Sequence, residues 1–212
     1  MISEPTGTAL LYSGGMLTDL HGKTSHGLLR YSKRFQILGV VDCKHAGQMS
    51  NEIISNCQDD VPIFSDINKA IEGLGIKPDF LVIGLSFHGG QLPESHRGNI
   101  KQALKAGIHV VSGLHQLLGE DPDFAETAKE YGSIIYDIRR PKETKDLSFW
   151  SGKVMDLETP RIAVLGTDCA LGKRTTCQFL IQACDESNIK AEIIYTGPVS
   201  YTHLTLPTIY SV

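Results

Sequence analysis

The sequence predicts an α/β protein: a doubly wound, parallel-sheet (Rossmann-like) N-terminal domain followed by an incomplete P-loop NTPase-like β-α-β unit. Three observations predict it. Short apolar runs alternate with amphipathic stretches at a spacing that links parallel strands through helices on both faces of a sheet. The run Phe80-Leu-Val-Ile-Gly-Leu85 is almost wholly apolar, as expected of a central strand buried on both faces. The third is Arg161-Ile-Ala-Val-Leu-Gly-Thr-Asp-Cys-Ala-Leu-Gly-Lys-Arg-Thr-Thr176, which reads as a short buried strand over 162–165, a glycine-bounded loop and a helix beginning near Lys173.

The elements follow in order. Residues 8–12 form an apolar strand that ends at Ser13-Gly14-Gly15. A polar loop leads to a helix from Thr24 or Ser25 to about Arg34, with Leu28, Leu29 and Tyr31 available for packing. Residues 35–41 are a second strand closed by Asp42, and 61–64 a short third. Asp66 can cap a helix carrying Ile67, Ala70, Ile71 and Leu74. After strand 80–85 comes the loop Ser86-Phe-His-Gly-Gly-Gln-Leu-Pro93, then a helix over 93–106 that Gly107 is placed to stop. Residues 109–112 make the next strand, and Gly113-Leu-His115 turns into a short helix. Asp121-Pro122 starts a helix that Gly132 ends, and 133–138 make one more strand. The expected domains are 1–141 (Rossmann-like), 142–160 (a linker around Trp150), 161–197 (the start of a P-loop domain) and 198–212 (a non-native tail). Within the third, a helix over 175–187 and a strand over 191–195 are expected.

The loop at 166–172 carries the most specific chemistry. Backbone N–H groups and the positive end of a helix converge there, which suits a phosphate, and Lys173 adds a mobile charge. The spacing departs from Gly-x4-Gly-Lys-Ser/Thr. Five residues separate Gly166 from Gly172, Arg174 stands where the magnesium-binding hydroxyl normally follows the lysine, and Thr175 and Thr176 come late. Phosphate binding is therefore the firmer reading and magnesium-dependent ATP hydrolysis the alternative. The residues expected to hold the cofactor are Gly166, Thr167, Asp168, Gly172, Lys173, Arg174, Thr175 and Thr176. Each also has a structural reading: a tight turn with a surface lysine, Asp168 or the threonines as helix caps, and Arg174 as a solvated first-turn residue.

Other candidates are weaker. Gly22, Lys23 and Thr24 before a helix form a second anion site by the same logic. Asp42 resembles the ribose-binding acid of dinucleotide sites, but Gly14-Gly15 do not make Gly-x-Gly-x-x-Gly. His88 and His115 follow strands at the sheet edge where such folds bind ligands, and with Asp168 they are the candidate catalytic groups; for both histidines a hydrogen-bonded structural role is the stronger reading. Cys169 at a helix start is a nucleophile only if a base lies beside it. Cys177 and Cys184, seven apart on one helical face, read as core. His21, His26 and His45 lack metal-ligand spacing, and no metal site is expected.

With 41% apolar and 21% charged residues, and a net charge of −4, the 212 residues describe an ordinary soluble protein. Its partner is then a small-molecule substrate; nucleic acid and membrane are not expected, and assembly into a homo-oligomer is left open. Five scattered cysteines without Cys-x-x-Cys, and no signal-like N-terminus or long apolar run, point to the cytoplasm. Residues 199–208 are the translation of GTC TCT TAT ACA CAT CTG ACG CTG CCG ACG, a transposon-end sequencing adapter, and Pro198 fits the preceding CCT. The natural sequence is thus expected to stop near Gly197. Long-read genomic sequence tests this: continuous coding DNA for Val199 onward would refute it. A lone strand-helix-strand unit should also leave apolar surface exposed.

The run Gly166-Thr-Asp-Cys-Ala-Leu-Gly-Lys-Arg-Thr-Thr176 resembles the signature of the D-glutamate N-acetyltransferase (DgcN-like) family, long listed as of unknown function. Gly22-Lys-Thr-Ser-His-Gly-Leu-Leu-Arg-Tyr31, Gly89-Gly-Gln-Leu-Pro93, Val111-Ser-Gly-Leu-His115 and Asp137-Ile-Arg-Arg-Pro141 extend the likeness over nearly all of 8–197. The resemblance implies a Rossmann-like domain, then a P-loop domain, most of which this chain lacks. It implies acetyl transfer from acetyl-CoA to the amine of D-glutamate, with the loop holding CoA phosphate. The loop also resembles that of dethiobiotin synthetases, which use ATP; there a threonine directly follows the lysine. Without the missing part, the fragment is expected to be inactive.

Overall fold

A computed structural model describes residues 5–141, 152–167 and 172–194, in two compact units divided between Pro141 and Lys142. In the first, alternating apolar segments build β1 (Gly7–Tyr12), α1 (Lys23–Tyr31), β2 (Phe35–Val41), α2 (Ser50–Ile53), β3 (Ile63–Phe64) and α3 (Ile67–Leu74). There follow β4 (Phe80–Ile83), α4 (Glu94–Lys105), β5 (His109–Ser112), α5 (Pro122–Glu130) and β6 (Ile135–Asp137). The six strands pair in the order β3-β2-β1-β4-β5-β6, every pair parallel. This is the order of a doubly wound nucleotide-binding sheet, whose direction of winding reverses between β1 and β4.

Alternation along the strands divides the core. Leu10, Tyr12, Leu81, Ile83 and Val110 pack with Ile67, Ile100, Leu104 and Phe124 of α3, α4 and α5 on one face. Ala9, Leu11, Val40, Val82 and Val111 pack with Leu28 and Leu29 of α1 on the other. Burying each such leucine or isoleucine contributes about 1.5–3 kcal/mol. Helix boundaries follow the expected chemistry. Asp66 accepts a 3.0 Å hydrogen bond from the Lys69 N–H at the start of α3, and Asp121 accepts one of 3.1 Å from Asp123 before α5, with Pro122 in its first turn.

Some expectations are corrected. The strand foreseen over 61–64 shortens to Ile63–Phe64, and that over 133–138 to Ile135–Asp137. The helix foreseen directly after His115 is one 3-10 turn, Leu118–Glu120, because His115 and Gln116 instead bond to the loop after β4.

In the second unit a 3-10 turn, Lys153–Asp156, precedes the 14-residue helix α6 (Lys173–Glu186). Residues 162–165 do not form the expected buried strand; Ile162 is 81% and Leu165 86% exposed. Residues 191–194 carry no strand either. A strand needs a neighbour to satisfy its backbone, and neither segment has one among the described residues. For the same reason α6 has no buried residue: Phe179 stands exposed, and Cys177 and Cys184 are only half-buried rather than core. Exposed apolar surface is what a lone strand-helix-strand unit was expected to show. Residues 142–151, Asp168, Cys169 and everything from Tyr195 on lie outside the described residues.

Candidate functional site

The loops leaving the carboxyl ends of the strands converge near the reversal point, where open α/β sheets bind ligands. The loop after β1 is shaped by Asp42, at the end of β2. This carboxylate is fully buried and accepts five hydrogen bonds. They come from the N–H groups of Gly15 and Leu17 (3.0 Å each), Lys44 (3.1 Å) and His45 (3.2 Å), and from the His45 ring at 2.9 Å. Asp42 is thus a clamp joining two loops, and its resemblance to a ribose-binding acid ends there.

The expected anion site at Gly22, Lys23 and Thr24 is also rebuilt. The Ser25 N–H and hydroxyl both donate to the Gly84 carbonyl, at 2.9 and 2.8 Å, so the loop after β4 occupies part of the helix entrance. Gly22 serves close packing: a β-carbon there would lie 2.5 Å from the carbonyl oxygens of Met16 and Leu17. Lys23 is exposed, and Thr24 faces a cleft.

That cleft, about 550 Å³, lies between the loops after β4, β5 and β6. Leu85, Phe87 and Leu114 supply its apolar lining, and Thr24, Ser86, His115 and Arg139 its polar groups. No carboxylate lines it among the described residues. The loop after β5 is zipped to the loop after β4: His115 and Gln116 donate their N–H groups to the Gly90 carbonyl at 2.9 and 3.1 Å. The Gln116 side chain in turn accepts from the Leu92 N–H at 2.9 Å. Arg139, just beyond β6, places Nη1 3.1 Å from Nε2 and 3.3 Å from Nδ1 of His115. An arginine N–H only donates, so the unprotonated ring nitrogen accepts. Burial pulls the Arg139 pKa below its ordinary value. The neighbouring Asp137 instead faces the protein, accepting from the N–H groups of Leu118 and Gly119 at 2.8 Å each, while burial holds its pKa above the usual carboxylate range.

Thr24 and His115, which the sequence singled out separately, therefore meet at one cleft. His88 lies in the adjoining 3-10 turn, His88–Gly90, and its side chain lies outside what is described. Arg139 was legible only as part of Asp137-Ile-Arg-Arg-Pro141, with no reason to separate it from Arg140, which instead pairs with Glu120 at 2.8 Å. Other described histidines bond to the protein itself. His21 and His26 donate to the carbonyls of Ser86 and Leu17, at 2.7 and 2.6 Å. No metal-holding cluster occurs among the described residues.

A second polar group lies beneath the site. Tyr12 and His96 share a buried 2.8 Å hydrogen bond, and the Asn99 amide nitrogen donates to the Tyr12 hydroxyl at 3.1 Å. Which of the two donates in the Tyr12–His96 bond follows from the tautomer of the imidazole. Burial pushes the Tyr12 pKa up to about 12 and the His96 pKa down. Phe87 packs on the His96 ring at 4.9 Å and links the pair to the cleft.

In the second unit, Gly172 takes φ +89°, a left-handed conformation suited to glycine, and opens α6. The Lys173 side chain folds across Gly166, with Nζ 3.2 Å from where a β-carbon on that glycine would stand. Thr175 and Thr176 are not caps, since the helix starts at Lys173; the Thr176 hydroxyl donates back to the Gly172 carbonyl at 3.1 Å. Arg174 lies in the first turn, and Thr167 is exposed beside Gly166. Asp168 falls outside the described residues.

These features define an α/β protein with a Rossmann-like domain and a P-loop segment. Residues 43–141 match the family model described as "Domain of unknown function (DUF1611_N) Rossmann-like domain", and 148–206 match "Domain of unknown function (DUF1611_C) P-loop domain". Together they take in about three quarters of the chain, and the chain belongs to the DUF1611 family. The second match runs into the segment read above as a non-native tail. A crystal structure of a DUF1611 family protein from Anabaena variabilis is 34% identical with a TM-score of 0.77, covering 94% of this chain and 55% of its own. Two relatives named D-glutamate N-acetyltransferase, from Tritonibacter scottomollicae and Pseudoalteromonas sp, are each 31% identical over 55% of this chain. Those matches take in only 34% of each relative's length. No described helix is long and apolar enough to cross a membrane.

Proposed function

We propose that the full-length protein is an N-acetyltransferase that moves acetyl from acetyl-CoA to the amine of an amino acid, with D-glutamate as acceptor. The observation that carries this is the likeness, at 31% identity, to two proteins named for that activity. The deprotonated amine attacks the thioester carbonyl, the C–N bond forms as the C–S bond breaks, and CoA leaves as the thiol after taking up a proton. The enzyme's part is to hold the two reactants together and polarise the carbonyl.

Two features support CoA phosphate as the ligand: Gly172 takes a left-handed conformation at the start of α6, and the Lys173 side chain lies over Gly166. Gly166, Thr167, Asp168, Gly172, Lys173, Arg174, Thr175 and Thr176 would form this cradle, and the cofactor supplies the activated acetyl group. The second reading, favoured by the P-loop family match, is an ATP-magnesium enzyme or a nucleotide-sensing module. The protein would act in the cytoplasm on small molecules, without nucleic acid or membrane as partner. Calorimetry on the full-length protein with acetyl-CoA, then with ATP-magnesium, separates the readings. Acetyl-CoA binding is expected; ATP binding without it would overturn the proposal.

A further inference from the structure

We infer that the pocket at the amino end of β2 binds a free α-amino acid with an aliphatic side chain, its ammonium on Asp59 and its carboxylate on Lys33. The pocket lies between the last turns of α1, the start of β2 and the loop before β3, at the opposite edge of the sheet from the cleft. Its floor is apolar: Leu28, Phe35, Ile37 and Val61 line it, and all four belong to the core on that face of the sheet. A small aliphatic chain laid on that floor leaves water, which favours binding. The rim carries both signs of charge, since Lys33 and Asp59 line it and stand exposed. Among the described residues neither forms an ion pair, with the other or with a third group. A zwitterion can therefore lie between them without displacing a bond the protein already makes. Gln58, next to Asp59, donates its N–H to the Leu29 carbonyl at 2.8 Å, which ties the acidic side of the rim across the end of α1. The volume, about 270 Å³, falls just below the roughly 300–1,000 Å³ of sites for drug-sized ligands and suits a molecule of amino-acid size. A ligand with one charge would leave the other rim charge unanswered, and one without an apolar body would leave the floor wet. The site lies wholly in the N-terminal domain and does not depend on the acetyl-transfer reading.

The test titrates the 212-residue chain with leucine and follows its backbone amide NMR signals. Saturable shifts centred on Gln36 and Gln58, which line the pocket, are expected. Isocaproate and isoamylamine, which lack the ammonium and the carboxylate of leucine respectively, should each bind more weakly by about three- to fivefold, the worth of one exposed ion pair. Glycine, which keeps both charges but has no side chain, should not saturate the site. Asp59→Asn should weaken leucine by the same factor and leave isocaproate no weaker, and Lys33→Gln should do the same for leucine and leave isoamylamine no weaker. Both side chains are exposed, so the variants should keep the melting temperature of the unaltered chain. The inference is overturned by no saturable leucine binding, by shifts centred elsewhere, or by glycine or either single-charge analogue binding as tightly as leucine. Variants that weaken all three aliphatic ligands alike would overturn it too.

Discussion

The imidazole of His115 occupies the space that a side chain on Gly90 would need: a β-carbon there would lie 2.2 Å from its Cδ2 atom. Gly90 also sits at φ +68°, where other residues are strained. Gly90→Ala should therefore displace the ring, break its contact with Arg139 and destabilise the domain by about 1–3 kcal/mol. Urea unfolding measures the loss, and a shift in the His115 imidazole NMR signals reports the displacement.

Asp42 ties the loops after β1 and β2 by four backbone N–H groups and one imidazole. Asp42→Ala leaves those buried donors without their acceptor and should cost about 3–5 kcal/mol in chemical denaturation. A cost below about 1 kcal/mol would show that these hydrogen bonds do not hold the loops.

His96 gives a pH dependence of known sign. Its pKa in the folded chain lies below the ordinary 6.5 because burial disfavours the imidazolium. In the window between the two values the unfolded chain binds a proton that the folded chain does not. Stability is full above about pH 6.5 and falls as the pH drops, by up to about 1.4 kcal/mol per unit. His96→Gln should remove this slope, so the advantage of the unaltered chain over the variant shrinks from pH 7.5 to 5.5. Melting temperatures across that range provide the check.

Arg97 joins α4 to α5: it bonds Asp121 through both terminal nitrogens, at 2.7 and 3.0 Å, and lies 4.3 Å over the Phe124 ring. The Asp121 pair raises the Arg97 pKa and lowers that of Asp121 itself. Arg97→Met should cost about 1–3 kcal/mol. Asp121→Asn should cost less, since the amide oxygen still accepts and still caps α5. Equal losses in denaturation would contradict the two-toothed contact.

The fold was legible wherever local pattern and burial agree. Phe80-Leu-Val-Ile83 is a buried central strand because no polar residue interrupts it, and Asp66 and Asp121 cap helices because the chemistry is local. Residues 162–165 carry the same apolar signature yet form no strand, because a ladder partner is a non-local requirement that a run of side chains does not record. The site was legible only in pieces. Thr24, His115 and Arg139 lie far apart in sequence and meet because β1, β4, β5 and β6 are neighbours in the sheet. Asp42 sits where a ribose-binding acid would, and only its five donors show it to be occupied by the protein itself.

Turnover tests the central claim most directly. The full-length protein, given acetyl-CoA and D-glutamate without ATP or magnesium, should release CoA thiol and form N-acetylglutamate in equal amounts, and Lys173→Met should lower the rate at limiting acetyl-CoA. Thiol release that does not depend on D-glutamate or any other amino acid, or activity that appears only with ATP-magnesium, would contradict it.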